Sequence, residues 1–490
     1  MKTLLSTRRL LETIIVLGLF AMAMRPVTDP DVWWHLKTGE LIATTHQVPH
    51  TDPFSYTRAG QPWVSHEWLS DWLIFSIYKN AGLAGLDAVF AVVVAAALFL
   101  AFVRSRGRPY FAGLITICGA VASAPSWGVR PQMLSLLLAS VFLWILERTE
   151  IRPPTAWWMV PLTLLWVNLH AGYVLGILLI VVVMGGNIVE ATLRQRPWKE
   201  VQYQVRTLGL VAIACIAVVP LNPNGTKLYS YPFITLHSYA MQTYIGEWFS
   251  PNFHQGKFAA FLFMLLATVV FTAISPRRLR ISQLLLLLIT TWMALDAARH
   301  IPIFALVAIP ILSELAEPIF VPRATRKKAD QLSFHWLNYA VLTAFLVFTA
   351  VRVRTVAKMI PEAEAKNFPA GAARFLEEHA LPGPLLNHYN WGGYVIWKLY
   401  PKYRVFIDGR ADLYGDEFMN QFADLYYLKK SDWYVAFQTY GIQTVMMPPE
   451  APLVEGLRLK SEWKQQYADA QVVILARMPP TEAQNFRFGR

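Results

Sequence analysis

The chain has 490 residues, of which 55% are hydrophobic and only 16% charged, and it carries a formal net charge of +12. Soluble domains carry about 25% charged residues, so the composition excludes an ordinary water-soluble domain. The positive balance would suit nucleic acid, but the Lys and Arg residues sit in short clusters between apolar blocks. That is the pattern of membrane orientation, and no nucleic-acid partner is needed to explain it.

The N-terminal MKTLLSTRR is basic and leads into the apolar run 10–24, the first expected span. Ala21-Met22-Ala23 also fits a signal-peptidase site, and either reading puts the following residues outside the cytoplasm. A polar, tryptophan-rich first loop (26–67) follows, and 68–78 is expected to lie along the interface. Further apolar blocks occupy 83–103, 110–125, 133–146, 157–169, 173–190, 208–220, 258–274, 284–298, 303–319 and 334–351. This gives about eleven spans, read against the roughly 20 residues needed to cross about 30 Å of hydrocarbon.

Every second connection is short and basic: Arg104/Arg106/Arg108, 147–152, Arg194/Arg196/Lys199, Arg277/Arg278/Arg280 and Arg323/Arg326/Lys327/Lys328. The positive-inside rule assigns these loops and the N-terminus to the cytoplasm. The first loop, the long 221–257 loop and the C-terminal segment then lie outside. The expected organisation is an α-helical polytopic membrane domain (1–354) followed by an external α/β domain (355–490). In the latter a helix is expected at 370–379 and strands at 403–407, 442–447 and 471–476. Cys118 and Cys215 lie inside apolar blocks and supply neither a disulfide framework nor metal-ligand spacing.

Polar residues collect at the outward ends of these spans. Asp29 and Asp31 follow the first span in TDPDVWWHL, Arg130 lies in GVRPQ, and Asn168 and His170 lie in WVNLHAG. Asn222 falls in LNPNG, Glu247 in GEWFSP, and Arg299-His300 ends the ninth span. Ionisable groups near bilayer depth are expensive and are normally paired or functional. In an extended segment residues i and i+2 point the same way, so Asp29 and Asp31 can face one pocket. There they would act as a base with its orienting partner, or bind a divalent cation at Asp31. The structural alternative is a helix or turn cap at Pro30, with Trp33, Trp34 and His35 in an interfacial aromatic belt. His66-Glu67, where the chain re-enters the membrane, is a second acidic candidate, whereas Asp52 before Pro53 reads as structural.

Arg130, Arg299 and His300 suit a phosphate, because a guanidinium offers a fixed fork of donors. Snorkelling of Arg130, and pairing of Arg299 with Asp296, are the competing explanations. Asp408-Gly409-Arg410 is either an internal ion pair or a substrate contact. Trp391, in NWGGY, marks either a recognition motif or a Gly-bearing turn into a helix.

This arrangement resembles the GT-C superfamily of integral membrane glycosyltransferases, which includes protein O-mannosyltransferases, aminoarabinose transferases and oligosaccharyltransferases. The strings DPDVWWHL, WVSHEW, RPQ, WVNLHAG, LNPNG, EWFSP and WGGY…VFIDGRADLYG are also similar to an uncharacterised bacterial membrane branch associated with it. The resemblance implies a polyprenyl-phosphate-linked sugar as donor, chemistry on the non-cytoplasmic face, and a bacterial inner-membrane location with a periplasmic C-terminal domain. A divalent cation (Mg or Mn) is possible. The acidic Asp29-Pro30-Asp31 stands where the family carries its catalytic acid. Asn390–Tyr394 lacks the aspartate of the oligosaccharyltransferase acceptor motif, so the acceptor stays open among lipid, glycan and protein. The competing functions are a transporter or flippase and a non-catalytic envelope assembly protein. A transporter would be expected to hold its polar groups at the midplane.

Overall fold

A computed structural model describes residues 5–320 and 335–478; the basic cluster Arg323, Arg326, Lys327 and Lys328 lies outside them. The protein is a multi-pass membrane protein, mostly helical, with one small sheet. Among the described residues, eight helices are long and apolar enough to cross a membrane by length and composition. They are Trp68–Arg104, Pro109–Ser126, Pro131–Arg148, Tyr173–Thr192, Trp198–Leu221, Gly256–Ile274, Ala298–Phe320 and Trp336–Asn367. The remaining three expected spans are also helical but shorter: Thr7–Ala23, Met159–Leu169 and Ile281–Asp296.

The chain divides into two compact units, and the division departs from a single boundary at 354/355. One unit comprises Met1–Pro26, Ala84–Pro232 and Ile245–Lys358; the other comprises Val27–Leu83, Phe233–Tyr244 and Met359–Arg490. The first loop and part of the long loop thus share a unit with the C-terminal segment.

In the helical unit, Ile301–Phe320 is the core element. It packs against Pro109–Ser123, Ile281–Asp296 and Ala259–Ile274, and 78% of its apolar window is buried, against 11% for Trp336–Asn367. Small residues let the helices approach closely, as is usual between helices in lipid. A Cβ on Gly119 would lie 2.6 Å from Ile309 Cδ1, and one on Gly186 would lie 2.5 Å from Ser282 Cα. Pro109 and Pro131 stand at helix starts, where the missing N–H costs nothing.

In the second unit the helix Trp68–Arg104 begins, and it breaks at Gly82 (φ 64°), next to the boundary between the units. The first loop holds a helix, Val32–Thr45, that packs on Gly392–Leu399. A four-stranded sheet is built from β1 (Leu385–Asn387), β2 (Thr444–Met447), β3 (Trp463–Ala468) and β4 (Val473–Arg477), in the order β1-β2-β4-β3. The β1–β2 pair is parallel and the others are antiparallel. Helix 370–379 is found as Ala370–Glu378, and strands 442–447 and 471–476 as β2 and β4.

The strand expected at 403–407 is absent. Val405 makes a single parallel bridge to Ser55. The Asn387 side chain takes the place of a ladder beyond it, accepting from Phe406 N at 2.8 Å and donating to Ile407 O at 2.7 Å.

Candidate functional site

The residues singled out from the sequence fall partly in the helical unit and partly in the unit that carries the sheet.

In the helical unit, three chain segments converge at Glu247. It stands in the short helical turn Gly246–Trp248, and its carboxylate pairs with Arg130 and, at 3.2 Å, with Arg299. Arg130 caps the N-terminus of Pro131–Arg148, and Arg299 sits in the turn between Ile281–Asp296 and Ile301–Phe320. The Arg299 guanidinium lies 4.4 Å over the Trp248 ring, a cation–π arrangement that fixes its plane. Ala298 N donates to Phe249 O at 3.0 Å, Ser250 Oγ to Asp296 O at 3.1 Å and Ser126 Oγ to Ala298 O at 3.3 Å, so three loops are stitched together here. His300 adjoins the cluster and lies 3.2 Å from Met293 O. Arg299 therefore pairs with Glu247, a partner far away in sequence, rather than with Asp296 as the competing explanation had it. Burial works against the Glu247 charge, yet Arg299 and Arg130 hold its carboxyl below the usual carboxylate range. The side chains of Arg130, Glu247 and Arg299 remain 24%, 28% and 19% exposed, so the cluster is open to a ligand.

The same unit holds His170 and the asparagines. His170 Nδ1 lies 2.8 Å from Ser135 Oγ, which also accepts from Trp166 Nε1 at 2.7 Å, and Gly172 N donates to His170 Nδ1 at 3.0 Å. Asn168 donates to Leu164 O, and Asn222 donates to Val167 O while accepting from Asn224. Each of these asparagines thus makes a hydrogen bond to the protein's own backbone. Arg25, which the sequence did not single out, donates to Ala124 O at 2.6 Å, and its backbone N–H donates to Asp87 at 3.0 Å.

In the second unit, two helical i, i+4 pairs meet: Asp31/His35 from one segment and Glu67/Asp71 from another. His35 Nδ1 lies 2.6 Å from Asp71 Oδ1, and its Nε2 lies 3.9 Å from Glu67. His66 Nε2 reaches Glu67 at 3.5 Å. Burial opposes a charge on His35, but Glu67 and Asp71 outweigh it and raise the pKa; Glu67 does the same for His66. Asp71 is the functional candidate the sequence reading passed over. Its spacing of four from Glu67, on the same helical face, is the available signal.

Asp29 and Asp31 are tied by an Asx-type bond, Asp31 N donating to Asp29 Oδ1 at 2.9 Å. Trp34 Nε1 donates to Asp31 Oδ1 at 3.2 Å. Asp29 is buried and Asp31 is half-buried. The glycines of the two C-terminal motifs make room for this turn. A Cβ on Gly393 would lie 2.6 Å from Pro30 O, and one on Gly409 would overlap Asp31 Oδ1. Trp391 ends a short helical turn that continues as Gly392–Leu399, so NWGGY is a turn into a helix seated against Pro30.

Asp408 and Arg410, expected as an ion pair or a substrate contact, prove to be an ion pair closed to solvent. Arg410 donates to Asp408 at 2.7 and 2.8 Å and to Asp52 at 2.8 Å. Tyr414 adds a hydroxyl to Asp408 at 2.7 Å, and the Asp52, Asp408 and Arg410 side chains are no more than 1% exposed. Burial disfavours the Arg410 charge, but the two carboxylates raise its pKa well above the ordinary value.

The oxygen donors of Asp29, Asp31 and Glu67, together with His66, are the kinds that hold a hard or borderline divalent cation.

With this geometry in view, the polytopic membrane fold is similar to that of several solved membrane-protein structures. The chain matches ArnT from Cupriavidus metallidurans, bound to undecaprenyl phosphate, over 96% of its own length and 98% of that chain, at 13% identity and a TM-score of 0.52. It matches the archaeal oligosaccharyltransferase AglB from Archaeoglobus fulgidus, in complex with an inhibitory peptide and a dolichol-phosphate, over 90% of its length and 69% of that chain. There the identity is 10% and the TM-score 0.53. The apo form of the A. fulgidus oligosaccharyltransferase gives a TM-score of 0.51 at 10% identity, over 91% of this chain and 70% of that one. No protein-family model and no curated protein matches the sequence.

Proposed function

We propose that the protein is a GT-C-type glycosyltransferase of a bacterial inner membrane. It moves a sugar from a polyprenyl-phosphate carrier to an acceptor on the periplasmic face. The observation that carries this reading is the open cluster of two arginines around one glutamate, assembled from segments distant in sequence. A guanidinium offers a fork of donors that matches phosphate oxygens, and Glu247 pairs with both arginines. That the structurally similar ArnT and AglB are described with polyprenyl-type phosphates supports the choice of donor.

The acceptor's nucleophile needs a base. Asp31 is the better placed of the pair, because Asp29 is buried and spends one oxygen on the turn. Trp34 orients the Asp31 carboxylate. Glu67, held by His35 and His66, is the second acidic group. A divalent cation, if bound, would draw on carboxylate oxygen, with Asp31 the candidate ligand, and would polarise the donor phosphate or the acceptor hydroxyl. Transfer needs a base for the acceptor proton, as the acceptor oxygen bonds to the anomeric carbon, and cations for the phosphate that departs with the electron pair; Asp31 is the candidate for the first role and Arg130 and Arg299 are the candidates for the second. The polar groups gather at helix ends rather than at a midplane pocket, which favours transfer over transport.

The test is transfer from polyprenyl-phosphate sugars in proteoliposomes. Asp31→Asn should lower transfer by about 100-fold or more, within the range for loss of a general base, while insertion and expression stay normal. If Asp29→Asn, Asp31→Asn and the double variant all kept full activity, the assignment of the base would be wrong.

A further inference from the structure

At the opposite, basic-loop end of the helical unit lies an open cavity of about 570 Å³, within the roughly 300–1,000 Å³ of small-molecule sites. It is lined by Arg104, Arg106, Arg148 and Arg152, with Glu147 the one carboxylate among the lining residues. Arg104 is fully spent inside the protein: it pairs with Glu147 at 2.9 Å and donates to Leu306 O at 2.9 Å. Arg106, Arg148 and Arg152 are exposed, and among the described residues no carboxylate pairs with them.

The loop is built rather than loose. Arg152 N donates to Arg148 O at 2.9 Å, and the Thr155 hydroxyl donates to Arg152 O at 2.8 Å. Arg148 lies 3.6 Å over the Trp144 ring, which holds its guanidinium flat.

Helix C-termini attract cations through the macrodipole, but that accounts for arginines spread around the bundle end, not for three turned onto one concavity. The cavity is also amphipathic. Ile151 on its rim is 85% exposed and Val103 is 51% exposed, while Trp157 and Trp158, just beyond Thr155, are 47% and 70% exposed. Such exposed apolar and indole groups belong at a membrane interface.

We propose that this cavity binds the phosphodiester headgroup of an anionic phospholipid from the leaflet on the basic-loop side. Arg106, Arg148 and Arg152 meet the phosphate, and Val103 and Ile151 lie along the glycerol and upper acyl chain. A zwitterionic lipid presents the same phosphate with a cation beside it, so the three arginines select against it. The proposal rests on the chain being membrane-embedded and is independent of the transferase reading.

The experiment is native mass spectrometry of the full chain titrated with dioleoyl phosphatidylglycerol or dioleoyl phosphatidylcholine. Phosphatidylglycerol should bind at least about tenfold more tightly. Each Arg→Gln change at 106, 148 or 152 should weaken it about fivefold, and the triple change on the order of 100-fold, as expected for about 1 kcal/mol per basic residue. The triple Arg→Lys variant should keep most of the binding. The single variants alter only exposed side chains and decide the matter even if the triple variant misfolds. Unchanged phosphatidylglycerol binding in the Gln variants, or equal binding of phosphatidylcholine, would overturn the proposal. Displacement by millimolar inorganic phosphate would overturn the lipid assignment in favour of a free phosphoanion.

Discussion

Two arginine–carboxylate clusters in this molecule use the same chemistry to opposite ends. Around Arg410, one guanidinium meets two carboxylates and a tyrosine hydroxyl, and the Asp52, Asp408 and Arg410 side chains are at most 1% exposed. Around Glu247, two guanidiniums meet one carboxylate, and all three side chains are about a fifth to a quarter exposed. The first cluster is closed and holds the Asp52 loop to the C-terminal segment. The second is partly exposed, and water or a ligand can reach it. Exposure, rather than residue type, separates a structural brace from a candidate anion site.

The comparison breaks most visibly at Arg410. Arg410→Met leaves Asp52 and Asp408 buried without their cation, and should cost about 3–5 kcal/mol of stability, read as a drop in the thermal unfolding midpoint. Arg130→Gln, a change to a partly exposed pair, should cost no more than about 1 kcal/mol in the same assay. Similar losses for the two variants would erase the distinction between brace and open site.

Gly409→Ala sharpens the comparison from the other side, because its methyl group would overlap Asp31 Oδ1. Overpacking of this kind costs about 1–3 kcal/mol. It should also displace the Asp31 carboxylate and lower transfer by on the order of 100-fold. Full activity in a folded Gly409→Ala protein would mean that the position of Asp31 does not matter.

The smallest expected effect is on pH dependence. His35 and His66 have raised pKa values beside Glu67, with Asp71 adding to the effect at His35. Their contribution to stability is therefore complete below the unfolded value of about 6.5 and is lost as pH rises through the higher folded values. The thermal midpoint should fall gently as the pH rises above about 6.5, and the His35→Gln/His66→Gln variant should flatten that fall. A midpoint that rises with pH in this window would contradict the assignment.

Much of the helical architecture was legible in the sequence, because a span declares itself by length and hydropathy. All eleven expected spans are helices. Short or polar elements were not. β1 is only three residues long, and β3, WKQQYA, is an edge strand with an irregular buried–exposed pattern. Helix Val32–Thr45 was not singled out within the polar, tryptophan-rich first loop. In the structure Gly39 lets that helix lie directly on the Asp71 backbone, where a Cβ would overlap the Asp71 carbonyl.

Among the candidate site residues, Arg130, Glu247 and Arg299 could be named one by one. Their pairing could not, because it joins positions 117 and 52 residues apart (247 − 130 and 299 − 247). Asp408 and Arg410 show the converse. A charged pair after an extended segment looks functional until its third partner, Asp52, is found far upstream.

If the open cluster receives a lipid phosphate, the protein should keep that lipid through purification. Undecaprenyl phosphate supplied in the detergent should be retained by the protein and detected by mass spectrometry. Retention should fall by on the order of 100-fold in the Arg130→Gln/Arg299→Gln variant, in line with about 1.5–3 kcal/mol for each charge-assisted hydrogen bond lost. Equal retention by the native and double-variant proteins would contradict it.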